Sequence, residues 1–432
     1  MPRPIGIDLF AGAGGMTLGF EQAGFDVIAA IEVDPIHCAV HEYNFPQTTI
    51  FCRSVTDIRG QEIRDRLHLG DRDLDVVFGG PPCQGFSLIG KRALDDERNQ
   101  LVFHFLRIID ELKPKYFVME NVKGMVTGKH KQVIAEVIEL VTKMGYQVTD
   151  PYQVLNAFHY GVPQDRERLF LLGSRQDCDP SAYPTPQTKP AKTKRKLTST
   201  IQNLPPTPTV ADALFDLPDA DQIPTLWDQD WVDVDLKPPS QYASILRGEQ
   251  IDPEDYSYSR QWNSKQMSSS LRTNHTPASI ARFKNTIPGQ VEPISRFLKL
   301  DPDGICNTLR AGTPSSRGAF TSPRPIHPIV PRCITVREAA RLHSYPDWFR
   351  FHTTKWHGCR QIGNSVPPYL ARAVASEILK ALQLRPVKPS TRLALQASHL
   401  LSLTMSQAAS YYSVPKNTIP QRNRSALIPM SP

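Results

Sequence analysis

Short apolar runs alternate with helix-period patterns over the first 175 residues. The runs at 5–10, 27–31, about 49–51, 74–78, 116–119 and 168–172 are strand-length and read as buried strands. The stretches 15–23, 35–43, 99–112 and 133–144 repeat apolar residues three and four apart and read as helices. Strands alternating with helices predict an α/β chain with a Rossmann-like, doubly wound, mostly parallel sheet covered on both faces. Ligands of such sheets lie outside the carboxyl ends of the strands, so the residues just after each strand carry the candidate chemistry.

The pattern breaks near Gln176. Residues 180–208 are rich in Pro, Thr and Lys, including the run from Lys189 to Lys196, and read as a linker or long loop. Residues 210–330 show weak periodicity, many prolines and clustered aromatics (Trp227, Trp231, Tyr242, Tyr256, Tyr258, Trp262), as expected of a separate irregular domain. Its acidic stretch, Asp212 to Asp235, reads as a solvated face turned away from any polyanion. Residues 335–343 read as a helix, and Pro367 and Pro368 open another that runs through Ala381, proline being tolerated in a first helical turn. The expected division is 1–175, a smaller inserted domain at 176–330, a return to the first domain at 331–385, and a tail at 386–432.

Composition narrows the class. Of 432 residues, 40% are hydrophobic and 22% charged, which excludes a wholly disordered chain. No run of 18 apolar residues exists, and the N-terminus lacks a secretory pattern, so a cytoplasmic protein without a membrane span is expected. The seven cysteines are scattered with no C-x-x-C pair, which predicts free thiols and no metal. A net charge of +7 permits a nucleic-acid partner without requiring one. The tail carries five Lys or Arg and no acid.

After the first strand comes Asp8-Leu9-Phe10-Ala11-Gly12-Ala13-Gly14-Gly15. Glycines there suit either a plain strand–helix turn or a loop that a ligand approaches closely. The phosphate fingerprint G-x-G-x-x-G is incomplete, since Thr17 stands at its third glycine. Glu32 ends the second strand, where a ribose diol would lie, and Asp57 follows the third, so an adenosine-like ligand need not carry phosphates. The fourth strand leads into Gly79-Gly80-Pro81-Pro82-Cys83-Gln84-Gly85-Phe86-Ser87. The fifth ends in Glu120-Asn121-Val122, at the same sheet edge. A thiol and a carboxyl group at neighbouring strand ends can act on one small substrate. In Gln164-Asp165-Arg166-Glu167-Arg168 the two arginines are two apart, so at strand spacing they share a face.

Taken in order, these segments resemble the DNA (cytosine-5) methyltransferase family of bacterial restriction-modification systems. Two later segments extend the resemblance: Thr335-Val336-Arg337-Glu338-Ala339-Ala340-Arg341-Leu342 and Gln361-Ile362-Gly363-Asn364-Ser365-Val366-Pro367-Pro368. It implies a methyl transfer from S-adenosylmethionine to C5 of a flipped-out cytosine in double-stranded DNA. Cys83 is the implied nucleophile at C6, and Glu120 contacts N3 and the exocyclic amine. Arg168 is implied at the cytosine O2, with Arg166 bracing Glu120 and the loop. For the cofactor it implies Phe10, Gly12, Gly14, Glu32, Asp57, Ile58, Pro82, Leu101, Asn364, Ser365 and Val366. Two departures stand out: Val33 where many members carry an aromatic, and Thr56 where a Gly is usual.

On the DNA side the resemblance implies a mobile loop from Gln84 to Arg98, with Gln84, Ser87, Lys91 and Arg92 as candidate contacts. Residues 176–330 take the place of a target-recognition domain, where Thr308-Leu309-Arg310 matches a common Thr-Leu segment. Arg310, Arg317 and Arg324 are candidate readers, since arginine can pair bidentately with guanine. The expected protein is a nucleoid-associated monomer, and whether a cognate restriction endonuclease partners it stays open. Residues 405–419 resemble a helix-turn-helix, with Thr404 or Ser406 as the first cap and Lys416, Asn417 and Thr418 opening a second helix. A tail helix docked on the body is the other reading. An RNA (tRNA) cytosine-5 methyltransferase, a dual-role methyltransferase and transcriptional regulator, and a nicotinamide oxidoreductase are the rival functions.

Overall fold

A computed structural model describes residues 3–82, 100–126, 131–192, 198–312 and 324–418. Its centre is one sheet of β1 (Ile5–Leu9), β2 (Asp26–Glu32), β3 (Thr49–Cys52), β4 (Val76–Gly79), β5 (Tyr116–Val122), β6 (Tyr146–Val148), β7 (Gln153–Asn156) and β8 (Glu167–Arg175). The order is β3-β2-β1-β4-β5-β8-β6, with β7 also pairing β8. The first five strands are mutually parallel, and β8 runs antiparallel to β5, β6 and β7.

Period-two alternation splits the strand residues between two cores. Ile5, Ile7, Leu9, Val77, Phe117 and Met119 face α3 (Gly60–Arg66), α4 (Gln100–Leu112) and α5 (Lys131–Lys143). Val76, Phe78, Tyr116 and Val118 face the other way. Because both faces are covered, the strands read as continuous apolar runs. On that second face lies α1 (Gly15–Ala23), with α2 (Pro35–Asn44) following β2.

The inserted region carries the short helices α6 (Ser199–Gln202), α7 (Val210–Leu214), α8 (Gln241–Leu246) and α9 (Pro277–Asn285), and the return carries α10 (Val336–Arg341), α11 (Lys355–Asn364) and α12 (Pro368–Ala381). Helix α12 packs directly on α1. A Cβ on Gly19 would lie 2.4 Å from that of Ala371, so glycine is what lets the helices approach. This contact brings the far end of the chain back to the loop after β1.

The acidic stretch differs from expectation. Asp216 is 3% exposed and faces Arg341, itself fully buried, at 3.1 Å. Asp230 pairs with Arg350 at 3.5 Å, and Asp219 and Asp221 both lie 3.6 Å from Arg332. These carboxylates face arginines of the return segment because a buried guanidinium needs a counter-charge. In the Lys189–Lys196 run, Lys192 pairs with Asp301 and Asp303, each at 3.1 Å.

The tail is tied to the body. Residues Arg392–Ala394 pair in parallel with Ser259–Gln261, and Leu400 and Leu401 are buried beside Val40 and Tyr43 of α2. Thr404 forms a capping box with Gln407 at the start of α13 (Met405–Tyr411). Tyr411 and Tyr412 then donate to the two oxygens of Glu42 at 2.8 and 2.6 Å. The first helix of the suggested helix-turn-helix is thus docked on α2. Residues 415–418 form a turn, and Ile419 onward lies outside the described residues.

Candidate active site

The loop after β1 is shaped by backbone conformation. Phe10 adopts φ 61 and is half-buried, while Gly14, at φ 98, is the residue from which α1 starts. Glu32 is held from both sides: the Gly12 N–H donates to Oε2 and the Asp34 N–H to Oε1, each at 2.8 Å. Space is open beside the Gly12 Cα, where a Cβ would meet nothing within 4 Å. A carboxylate with fixed oxygens and free lone pairs, next to an open glycine turn, suits a ribose diol. The exposed Asp57 accepts from the Thr56 hydroxyl at 2.8 Å, while Ile58 is buried. Asp57 and Ile58 line a surface cavity of about 790 Å³ with Arg59, His104 and Arg107. Phe10, Gly12 and Glu32 do not line it.

The return segment closes on the same loop. Asn364 is exposed, Ser365 half-buried and Val366 buried. A Cβ on Gly15 would meet the Val366 carbonyl at 2.5 Å, so this segment lies against the first residue of α1. Pro82 and Leu101 are half-buried.

At the carboxyl end of β4, two contacts fix the chain. The Asn121 amide donates to the Pro81 carbonyl at 3.0 Å. Gly80 abuts the Glu120 carboxyl so closely that a Cβ would fall 2.5 Å from Oε2. Glu120 is 9% exposed, and burial raises its pKa. Arg168, and then Arg166, oppose that rise. Arg168 Nε meets Glu120 Oε1 at 2.9 Å. Because β8 is antiparallel to β5, Arg168 enters opposite Val122, which brings its guanidinium to the end of β5.

Arg166 directs its hydrogen bonds to backbone carbonyls. It is fully buried, and burial pushes its pKa well below the usual arginine range. Nη1 donates to Leu309 O at 2.8 Å, and Nη2 to Gly363 O and Ser365 O at 2.8 and 2.7 Å. It influences Glu120 through its charge, whereas the direct contact belongs to Arg168. Arg166 precedes β8, so strand alternation does not govern its direction.

Of the other expected contacts, Arg310 is exposed, on a segment that packs against Gly363. Arg324 donates to Thr273 Oγ1 at 3.1 Å. Cys83, Gln84, Ser87, Lys91, Arg92 and Arg317 lie outside the described residues. Among the described residues, no group of three or more His, Cys, Asp or Glu is placed to hold a metal ion, and no helix is long and apolar enough to cross a membrane.

Two features were not singled out in the sequence. Asp8 is 1% exposed, and burial pushes its carboxyl up to about 8 although Thr17 Oγ1 donates to it at 2.6 Å. His41 Nε2 lies 3.0 Å from the same hydroxyl, and burial brings its pKa down to about 3. The second feature is Gln164 with His343, 2.9 Å apart and both fully buried. Gln164 lies in the Gln-x-Arg-x-Arg segment, but its pairing with His343, 179 positions away, leaves no local signal.

A family model described as C-5 cytosine-specific DNA methylase matches residues 6–380. The chain is 57% identical over 424 residues to the Type II methyltransferase M.XorII of Xanthomonas oryzae pv. oryzae, covering 98% of this chain and 96% of that one. It is 30% identical over 433 residues to the Type II methyltransferase M.AgeI of Thalassovita gelatinovora, covering 87% and 99%. Among solved structures, a prophage-encoded DNA modification methyltransferase from E. coli matches with a TM-score of 0.69 at 32% identity, over 88% of this chain and 100% of that one. The S. pombe Dnmt2 methyltransferase, with a TM-score of 0.53 at 16% identity over 88% and 100%, shares the fold.

Proposed function

The chain belongs to the C-5 cytosine-specific DNA methylases, and from that premise we propose how its own residues divide the reaction. It methylates C5 of a cytosine in a specific duplex sequence, as the DNA-protecting half of a restriction-modification system. The observation that carries the site assignment is the Glu120–Arg168 pair, with Gly80 against the same carboxyl group.

Cytosine C5 is a weak nucleophile. Addition of a Cys83 thiolate to C6 breaks the C5–C6 double bond and leaves C5 electron-rich. Pro81, two residues before Cys83 in the sequence, is held by Asn121. A free thiol is mostly neutral near pH 7, so an activating environment and loss of the proton before attack belong to this reading. Glu120 holds a proton at N3 as negative charge builds on the ring, help of a kind worth about 10²–10⁴ in rate. Its raised pKa suits it to keep that proton. Arg168 binds O2 and the Glu120 carboxyl together. Once C5 carries the methyl group, loss of the C5 proton to a base expels the Cys83 sulfur and restores the double bond.

S-adenosylmethionine supplies an electrophilic methyl group when bound. Glu32 and the open turn at Gly12 fit it, and we assign Glu32 to the ribose hydroxyls, Phe10 to the adenosine, Asp57 and Ile58 to adenine, Gly12 and Gly14 to the methionine end, and Pro82, Leu101, Asn364, Ser365 and Val366 to the walls. Support comes from the held Glu32 carboxylate and the open space at Gly12.

A paired cytosine hides C6, so the base must leave the stack, at a cost of roughly a few kcal/mol. We assign recognition to residues 176–330, with Arg310 among the contacts, and closure over DNA to the loop holding Gln84, Ser87, Lys91 and Arg92. The test is incubation with labelled cofactor and mixed-sequence duplex DNA at low salt. Label in 5-methylcytosine is expected from the native protein and none from Cys83→Ser; methylation by that variant contradicts the nucleophile assignment.

A further inference from the structure

A chain of buried side chains runs from the inserted region to the return segment. The Leu309 backbone N–H donates to Gln164 Oε1 at 3.1 Å. A backbone N–H can only donate, so the amide orientation of Gln164 is fixed and its nitrogen is the donor at the other branch. That nitrogen donates to Leu342 O at 3.1 Å and meets His343 Nδ1 at 2.9 Å. Nδ1 is therefore the acceptor, and the ring proton sits on Nε2. Nε2 lies 3.2 Å from Ser365 O and 3.1 Å from Ser365 Oγ. The orientations of Gln164 and of the His343 ring are thus set from Leu309, and Nε2 is aimed at Ser365, whose hydroxyl itself donates to Ile362 O at 2.9 Å.

Burial first, and then its polar and charged neighbours, keeps the imidazole neutral. A second proton would point from Nδ1 at the Gln164 amide hydrogens, with the positive Arg166 and Arg168 nearby. The Tyr345 ring stacks beside it at 5.8 Å. Arg166 runs parallel to this chain and grips the same two ends, Leu309 O and Ser365 O. Two independent polar links thus join one pair of backbone sites, and one of them, through His343, carries no formal charge.

We propose that Gln164 and His343 are positioning residues that orient Ser365, on the cofactor side, from the backbone of Leu309, on the recognition side. This rests on the reading of Asn364, Ser365 and Val366 as a wall of the S-adenosylmethionine pocket and of residues 176–330 as the recognition region. The link makes the pocket wall depend on the seating of the Thr-Leu segment. Thr308 fastens that segment further by donating from Oγ1 to Asp165 O at 2.6 Å.

The test uses the full-length protein and S-adenosylhomocysteine, with binding read by calorimetry without DNA. His343→Leu fills space but cannot donate to Ser365, and should weaken binding about tenfold, the worth of one buried hydrogen bond. His343→Gln presents an amide that donates toward Ser365 and accepts from Gln164, and should stay within about threefold of the native protein. A purely packing role predicts the reverse order. Equal loss in both variants, or no loss in either, overturns the proposal. Nitrogen-15 NMR of histidine in the unmutated protein gives a second reading. His343 should show Nε2 protonated and Nδ1 bare, and a protonated Nδ1 contradicts the link. Phe10→Ala is the control. If it weakens binding while His343→Leu does not, the link alone fails; if neither does, the pocket assignment fails and the link with it.

Discussion

Arg168 Nε meets Glu120 Oε1 at 2.9 Å across two antiparallel strands, and both side chains are nearly buried. Burial pushes the Glu120 pKa up and Arg168 is the main force pulling it back. Glu120→Gln keeps the shape but cannot deliver a carboxyl proton. It should lower kcat by about 10²–10⁴ with cofactor affinity unchanged. Equal kcat in single-turnover assays would remove Glu120 from the chemistry.

The same pair sets a pH dependence. A carboxyl group that must stay protonated loses function as pH rises through its pKa. Removing the guanidinium in Arg168→Ala takes away the main lowering influence, so the pKa rises further. The falling limb of the rate–pH profile should move to higher pH while the maximum rate drops. A limb that moves down, or stays in place, contradicts the assignment.

Gly80→Ala puts a methyl group 2.5 Å from Glu120 Oε2, so the carboxyl must leave Arg168. Turnover should fall at least about tenfold, one lost charge-assisted hydrogen bond, with a small change in melting temperature. Native turnover in this variant would show that the carboxyl position does not matter.

Arg166 should behave unlike its neighbour. Arg166→Met leaves three carbonyls of buried or half-buried segments without their donor. That predicts a loss on the order of 3 kcal/mol or more in urea unfolding. Arg168→Ala should cost less, because Glu120 can take a proton when its partner goes. Similar losses in both variants would contradict this division of roles.

Much of this was legible in the sequence, and the exceptions share a cause. The strands from Ile5 to Met119 and the helix Gly15–Ala23 stand where apolar periodicity puts them, since both faces of the sheet are buried. Tyr146–Val148 and Gln153–Asn156 escaped because they are short and partly exposed. The acidic residues from Asp212 to Asp235 look like surface until the arginines more than 100 positions later are seen against them. Glu120 and Arg168 announced themselves because local motifs carry them. Gln164 and His343 did not, because a contact across 179 positions leaves no local pattern. The carbonyl partners of Arg166 were hidden for the same reason: they belong to segments far along the chain.

Asp8 and His41 give stability a pH signature. The folded Asp8 carboxyl titrates near about 8 against an ordinary 3.8, so its contribution is present at low pH and lost as pH rises through that window. The folded His41 titrates near about 3 against an ordinary 6.5, so its contribution is lost as pH falls below 6.5. Of these two, Asp8 alone gives a slope between about pH 6.5 and 8. Denaturant midpoints should fall with pH there in the native protein and flatten in Asp8→Asn. Identical slopes in the two proteins would contradict a neutral, buried Asp8.

The proposed reaction turns on a covalent bond between the Cys83 sulfur and C6 of the target base. Fluorine at C5 cannot leave as a cation, so a duplex of randomised sequence carrying 5-fluorocytosine should stall the reaction after methyl transfer. Mass spectrometry of the digested complex is expected to find the nucleotide attached to Cys83, and no adduct in Cys83→Ser. An adduct on another cysteine, or trapping that survives in Cys83→Ser, contradicts the account.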